Sequence, residues 1–178
     1  MKRITLTILA GLSLAAFAED KTSAPKYVTP AIEGYGKIVR LPDAAVQPEK
    51  GSKVVIDVTS DKTEGEVLKA LDKAAAYFNL YAASDAPIKM TVVLHGGATR
   101  AALTDAAYAK RKDGAKNPNL DLIRKLKDKG VEVFVCGQAL AHDEIGTDEV
   151  ASEVIVATSA ATVAITRQKD GYAYLPFY

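Results

Sequence analysis

Five short apolar runs punctuate the chain, separated by amphipathic stretches: VVIDV at 54–58, KMTVVL at 89–94, VEVFV at 131–135, EVIVA at 153–157 and YAYLP at 172–176. Such runs, rich in β-branched residues, predict strands. Between the first and second, Val67, Leu68, Leu71, Ala75 and Phe78 recur at spacings of three and four. That stripe predicts a helix over 63–81, with Thr63 and Glu66 as a capping box at its start. Residues 98–112 carry Ala101, Leu103, Ala106, Ala107 and Tyr108 and predict a second helix. A third spans 119–129, with Leu120, Ile123 and Leu126 on one side and Gly130 as a left-handed cap. Residues 137–143 predict a short helix or turn, and 147–151 another. The last helix covers 158–169 and ends at Asp170-Gly171. Pro176 has no N–H to donate, which makes the fifth strand an edge strand.

The strands are apolar runs rather than polar-alternating ones, as expected when both faces are covered. Strand–helix alternation of this kind argues for an α/β fold, with an open, mostly parallel sheet of about five strands and helices on both sides. This domain begins at residue 53 and runs to 178. Ahead of it, residues 19–52 form an irregular arm punctuated by Pro25, Pro30, Pro42 and Pro48 and by Gly34, Gly36 and Gly51. Tyr27, Tyr35, Ile38, Val39 and Leu41 suit the arm to packing on the domain or on a neighbouring subunit.

The first eighteen residues read differently. Lys2 and Arg3 precede an apolar run, Ile4 to Ala16, which ends in Ala16-Phe17-Ala18. Basic start, short apolar centre and small residues at the cleavage positions make a secretory signal peptide, cut between Ala18 and Glu19. The run falls short of the roughly 20 residues that span a bilayer. The expectation is a mature protein of the periplasm, with no membrane attachment after cleavage. Removing Lys2 and Arg3 takes the basic count from 23 to 21 against 22 acidic residues, a net charge of −1. A near-neutral chain offers no electrostatic footprint for nucleic acid.

Cys136 is the only cysteine, so no internal disulfide forms. A lone thiol in an exported protein is open to oxidation, and burial or chemistry must account for it. In an open α/β sheet, sites form beyond the carboxyl ends of the strands. His95 ends the second strand and Cys136 the third. Cys136-Gly137-Gln138 lies where a strand turns into a helix start, whose amides favour a negative charge. The alternative is a small apolar residue closing a strand. Gly96 and Gly97 permit a tight turn after His95, whose amides suit an anion. Cys136 and His95 supply a nucleophile and a base, and no third group is evident. His142 and the acidic residues Asp143, Glu144, Asp148 and Glu149 read as solvated surface. The spacing of one cysteine and two histidines makes no zinc motif, and no G-x-G-x-x-G or Walker pattern calls for a nucleotide, so neither metal nor cofactor is expected.

Several blocks in order, GYGKIVRLPDAAVQPEKGSKVVIDVT (34–59), TVVLHGGA (91–98), NPNLDLIRKL (117–126), GVEVFVCGQALAHDEI (130–145) and GYAYLPF (171–177), resemble the DsrE/DsrF-like family, in particular its exported single-domain branch. The likeness covers roughly residues 30–178. It implies a three-layer α/β/α sandwich assembled as a trimer or hexamer. In the family's cytoplasmic sulfur-relay members, a cysteine matching Cys136 carries sulfur as a persulfide, and His95 matches a histidine of the branch's LHG segment. The function so implied is a sulfur carrier or sulfurtransferase-like protein with Cys136 as acceptor and His95 assisting. Its partners would be a small sulfur compound or an acceptor protein thiol. The competing expectation is a non-enzymatic oligomeric module that binds a small ligand or anion on the strand-end loops, without sulfur transfer.

Overall fold

The computed structural model describes residues 24–178. The expected signal peptide, 1–18, lies outside them. The arm begins with two short paired strands, β1 (Tyr27–Val28) and β2 (Ile38–Val39). It docks on its own domain. Ile32 is fully buried and Ile38 nearly so. The anchor is Asn79, itself fully buried. Its Oδ1 accepts from the Ala31 and Ile32 amides at 2.9 and 2.8 Å, and its Nδ2 donates to the Tyr35 and Gly36 carbonyls, both at 2.9 Å.

The main sheet begins with β3 (Lys53–Val58). A small hairpin follows, β4 (Thr63–Glu64) and β5 (Val67–Leu68), and then helix α1 (Lys69–Ala83). The helix therefore starts six residues later than the sequence pattern predicts. Gly65 adopts φ 64°, which turns the chain back so that Thr63 pairs with Leu68. The Leu68 amide then donates to the buried Asn119 side chain at 2.8 Å. Long-range pairing overrides the local capping signal.

Strand β6 (Lys89–Leu94) matches the expected span. The helix predicted over 98–112 is split into a 3-10 turn, Gly96–Ala102, and α2 (Asp105–Ala109). Leu103 is extended between them, and the Thr104 side chain caps α2 by accepting from the Ala107 amide. Helix α3 (Leu120–Asp128) ends at Gly130, which takes the left-handed conformation expected of it, φ 81°. Next come β7 (Glu132–Cys136), α4 (Gly137–His142), a 3-10 turn Thr147–Glu149, and β8 (Ile155–Ala157). The last strand before α5 is shorter than predicted because the Val154 amide bonds to Ala151 in a turn. Helix α5 (Ala160–Lys169) and the edge strand β9 (Ala173–Phe177) finish the chain.

The sheet order is β8-β7-β6-β3-β9, and every neighbouring pair is parallel. The chain moves outward from β3 to β6, β7 and β8, then returns across the whole sheet to β9. A right-handed crossover in the reverse direction requires its helix on the opposite face. The two apolar clusters reflect this. The larger joins Val54, Ile56, Val92, Leu94, Val133 and Val135 to α1 and α3, with Leu140 of α4 on the same side. The smaller joins Val55, Val93 and Cys136 to Ala160 and Val163 of α5. Three layers result, with one of the outer layers carried largely by a single helix.

Candidate functional site at the carboxyl edge of the sheet

Side chains alternate between faces along a strand. Val55 and Asp57 of β3, Val93 of β6, and Phe134 and Cys136 of β7 therefore point to the α5 side. So does Tyr174, which pairs with Val55. His95 follows Leu94, and Leu94 pairs with Val135, so His95 and Cys136 occupy the next rung on that face. The fold thus brings together the cysteine and histidine singled out from the sequence, on adjacent strands.

Cys136 is 6% exposed and packs with Val55, Val93, Ala160 and Val163. The helix that follows β7 runs on the α1/α3 side, whereas the helix that follows β8 runs on the other. The carboxyl ends of β7 and β8 are therefore the point where connections diverge to opposite faces, the place where crevices open in sheets of this kind. Gly137 and Gln138 belong to it. A Cβ on Gly137 would approach the Ala157 carbonyl to 2.8 Å, so only glycine fits. The Gln138 side chain donates to the Thr158 carbonyl at 3.2 Å, bridging the two diverging connections. Two helix starts meet at the cysteine: α4 begins at Gly137, and Ala160 in the first turn of α5 touches the same cluster. Both dipoles favour negative charge there.

His95 turns the other way along the edge. Its Nε2 lies 2.7 Å from Asp57 Oδ1, and Asp57 Oδ2 accepts from the Tyr174 hydroxyl at 2.5 Å. The Tyr174 phenol is pushed above its ordinary value, first by this bond to Asp57 and then by burial. Asp57 and Tyr174 are site residues that the sequence reading missed. The available signal was the single carboxylate inside VVIDV, since a charge in a covered strand needs partners.

Gly96 and Gly97 sit against the loop after β3. Gly96 needs its positive φ of 53°, and a Cβ on Gly97 would meet the Thr59 carbonyl and Asp61 at about 3.1 Å. Gly97 helps line a small cleft with Asp61, Glu66, Arg100 and Lys112. There two cations face two carboxylates, so the cleft has no net pull on an anion. His142 stands in solvent beside Asp143, 3.0 Å away. Among the described residues, no group of three or more His, Cys, Asp or Glu is arranged to hold a metal ion. Glu149 is a structural residue. Arg111 grips it with two bonds of 2.9 Å, which holds its carboxyl at about 2.

The family model for the DsrE/DsrF-like family matches residues 53–177, the whole of the sheet domain. The chain belongs to the DsrE/DsrF-like family. No curated protein matches it. Among solved structures, this DsrE/DsrF-like chain is similar to a protein of unknown function, MTH1491, from Methanobacterium thermoautotrophicum. That match has 20% identity and a TM-score of 0.54, and covers 71% of this chain and 99% of that one. It is also similar to the ychN protein from E. coli, at 17% identity and a TM-score of 0.48 over 71% and 99% of the two chains. The first of these likenesses supports the fold alone.

Proposed function

We propose that this DsrE/DsrF-like protein is a sulfur carrier of the periplasm, exported through a cleaved signal sequence at 1–18, with Cys136 as the sulfur acceptor. The observation that carries the reading is the position of Cys136. It is the sole thiol of the chain, and it stands at the carboxyl edge where the connections after β7 and β8 diverge and two helix starts converge. Membership of a family generally related to sulfur relay supports the same chemistry.

The step balances without an external oxidant. The Cys136 thiolate attacks the sulfane sulfur of thiosulfate, the S–S bond breaks, and sulfite leaves with the bonding pair. A persulfide anion remains on Cys136. A polysulfide or a small persulfide donates in the same way, with a shorter sulfide or a thiolate as leaving group. An acceptor protein thiolate then attacks the outer sulfur and Cys136 departs as thiolate. A homo-oligomer, trimer or hexamer, accords with the thin cover on the α5 side, where Ile155, Ile165 and Tyr174 are exposed.

The close packing of Cys136 against Val55, Val93 and Val163 favours a second reading, a structural thiol beside a ligand-binding edge. Intact mass separates the two. The purified, unreduced mature protein is weighed before and after thiosulfate and polysulfide, with Cys136→Ser alongside. A gain of whole sulfur atoms that a reductant reverses and the serine variant lacks supports the carrier. No gain, together with resistance of native Cys136 to alkylation, leaves the structural thiol. The same spectrum tests export, since the secreted chain should begin at Glu19.

A further inference from the structure

We infer that His95 Nδ1 is an open proton acceptor at the carboxyl edge of the sheet, held ready by Asp57 and Tyr174, and that the ligand it serves is the incoming acceptor thiol. The thiol rests on the sulfur-carrier reading; the geometry of His95 stands apart from it.

Asp57 is the only charged side chain of β3 beyond the amino-terminal Lys53, and its side chain is 13% exposed. It lies opposite Val93 of β6 and Pro176 of β9. Its polar partners are both diagonal neighbours. Tyr174 pairs with Val55, two positions before Asp57, and His95 follows Val93 by two. Diagonal neighbours on one face of a sheet are within reach of ring side chains. The Tyr174 hydroxyl donates to Asp57 Oδ2 at 2.5 Å, and His95 Nε2 lies 2.7 Å from Oδ1. The backbone fixes both partners. The His95 amide donates to the Val58 carbonyl at 3.0 Å. Thr59 donates to the Phe177 carbonyl from its amide at 3.0 Å and its hydroxyl at 3.2 Å, which keeps β9 beside β3.

These contacts assign the protons. An ionised carboxylate only accepts hydrogen bonds. Tyr174 keeps its phenol proton, because the bond to Asp57 pushes its ionisation above the ordinary value. The contact at Oδ1 then requires a proton on His95 Nε2, and in the neutral ring the lone pair is on Nδ1. Nδ1 has no hydrogen-bond partner among the described residues. Nor is it buried, since the one buried side-chain nitrogen or oxygen left without a partner among them is Arg167 Nε. The cluster therefore presents a single fixed lone pair to solvent.

Charge selects the ligand. With the ring neutral, the cluster carries the negative charge of Asp57, and Nδ1 offers no proton. An anion finds no donor there, whereas a neutral S–H, O–H or N–H group finds an acceptor. Of the two partners of a sulfur carrier, thiosulfate is a dianion. The acceptor thiol is neutral and protic at neutral pH, since a free thiol ionises at about 8.5. The site thus suits the hand-over of sulfur and not its loading.

In the hand-over, the proton passes from the incoming thiol to Nδ1, giving a thiolate and an imidazolium that faces Asp57. An orienting carboxylate stabilises the imidazolium in other nucleophile–histidine pairs in the same way. The thiolate attacks the outer sulfur of the persulfide, a new S–S bond forms, and the bonding pair of the old one leaves with Cys136. The imidazolium returns its proton to solvent. The incoming thiol carries the sulfur that is deprotonated, so the step asks for no contact between His95 and Cys136. His95 is the catalytic residue here, and Asp57 and Tyr174 are positioning residues.

The test uses the mature full-length protein with His95→Gln, Asp57→Asn and Tyr174→Phe, each checked for fold by circular dichroism. Imidazole nitrogen shifts are read by NMR at a pH where the ring is neutral, with the solvated His142 as internal reference. Diethyl pyrocarbonate, which acylates a free neutral imidazole nitrogen, probes Nδ1 directly. Hand-over is followed by mass, as loss of sulfur from loaded protein to glutathione at neutral pH. The expected results are an Nε2–H tautomer in the wild type, acylation of His95 at Nδ1, and loss of the tautomer preference in Asp57→Asn. Hand-over should slow about 100-fold in His95→Gln, the size of a general-base contribution. Asp57→Asn should slow it about tenfold and Tyr174→Phe a few-fold, within the worth of one charged hydrogen bond. An Nδ1–H tautomer in the wild type overturns the inference whatever the variants do, and so does a His95 that stays unmodified while His142 is acylated. Hand-over at the wild-type rate in His95→Gln overturns the thiol as ligand while leaving Cys136 a carrier. A protein that takes up no sulfur removes the carrier reading and the thiol with it, and the tautomer and the acylation then decide the open acceptor by themselves.

Discussion

Replacing Asn79 with alanine should detach the arm. Asn79 makes four hydrogen bonds of 2.8–2.9 Å to the backbone of residues 31–36, and it is fully buried. At about 1 kcal/mol net for each bond, the loss has a ceiling near 4 kcal/mol. Releasing the arm lets its freed amides and carbonyls find water, at the cost of exposing Ile32, which forfeits about 1.5–3 kcal/mol of apolar burial. Either route destabilises the protein by about 2–4 kcal/mol, or about 5–15 °C in Tm for a chain of this size. Urea unfolding measures the total. Hydrogen exchange measures where it falls, and the Ile32 and Gly36 amides should lose protection ahead of the sheet. Limited proteolysis should cut within 24–52 while leaving the sheet domain whole. A loss under about 1 kcal/mol with the arm amides still protected would refute the view that Asn79 is the anchor.

Three further outcomes follow from single contacts. Gly36→Ala should destabilise by about 1–3 kcal/mol in urea, since Gly36 has φ 59° and a Cβ there would run into the backbone of Ala75 and Ala76; an unchanged midpoint would count against this close approach. The Glu149 carboxyl is lowered from 4.5 to about 2, chiefly by Arg111, so its contribution is full above 4.5 and fades as pH falls through 2. The stability gap between wild type and Arg111→Gln should accordingly shrink across that window, and a gap indifferent to pH would contradict the pairing. Cys136→Ser puts a hydroxyl among Val55, Val93, Ala160 and Val163 and should cost about 1–3 kcal/mol while leaving the fold intact by circular dichroism; a neutral effect would mean that the site is wetter than its packing implies.

The sequence by itself determined the five strands, the last helix with its stop at Asp170-Gly171, the glycine cap at 130 and the edge character of β9. These follow from local composition: β-branched apolar runs, glycines in left-handed turns and a proline without an N–H. Alternation of strand and helix also put His95 and Cys136 on one edge. Local signals failed where distant partners intervened. Thr63 and Glu66 spell a capping box, yet Gly65 closes a hairpin whose end bonds to Asn119. The stretch 98–112 has helical composition, yet Leu103 is held extended, bridged to Val150. The joining of Asp57, His95 and Tyr174 was decided only by tertiary structure. Asp57 and Tyr174 are 117 positions apart in the chain, and they meet because the return through α5 lays β9 beside β3. The divergence of the connections at Cys136 has the same origin, since the face on which each connection runs depends on strand order, and strand order is set by long-range pairing that no local pattern encodes.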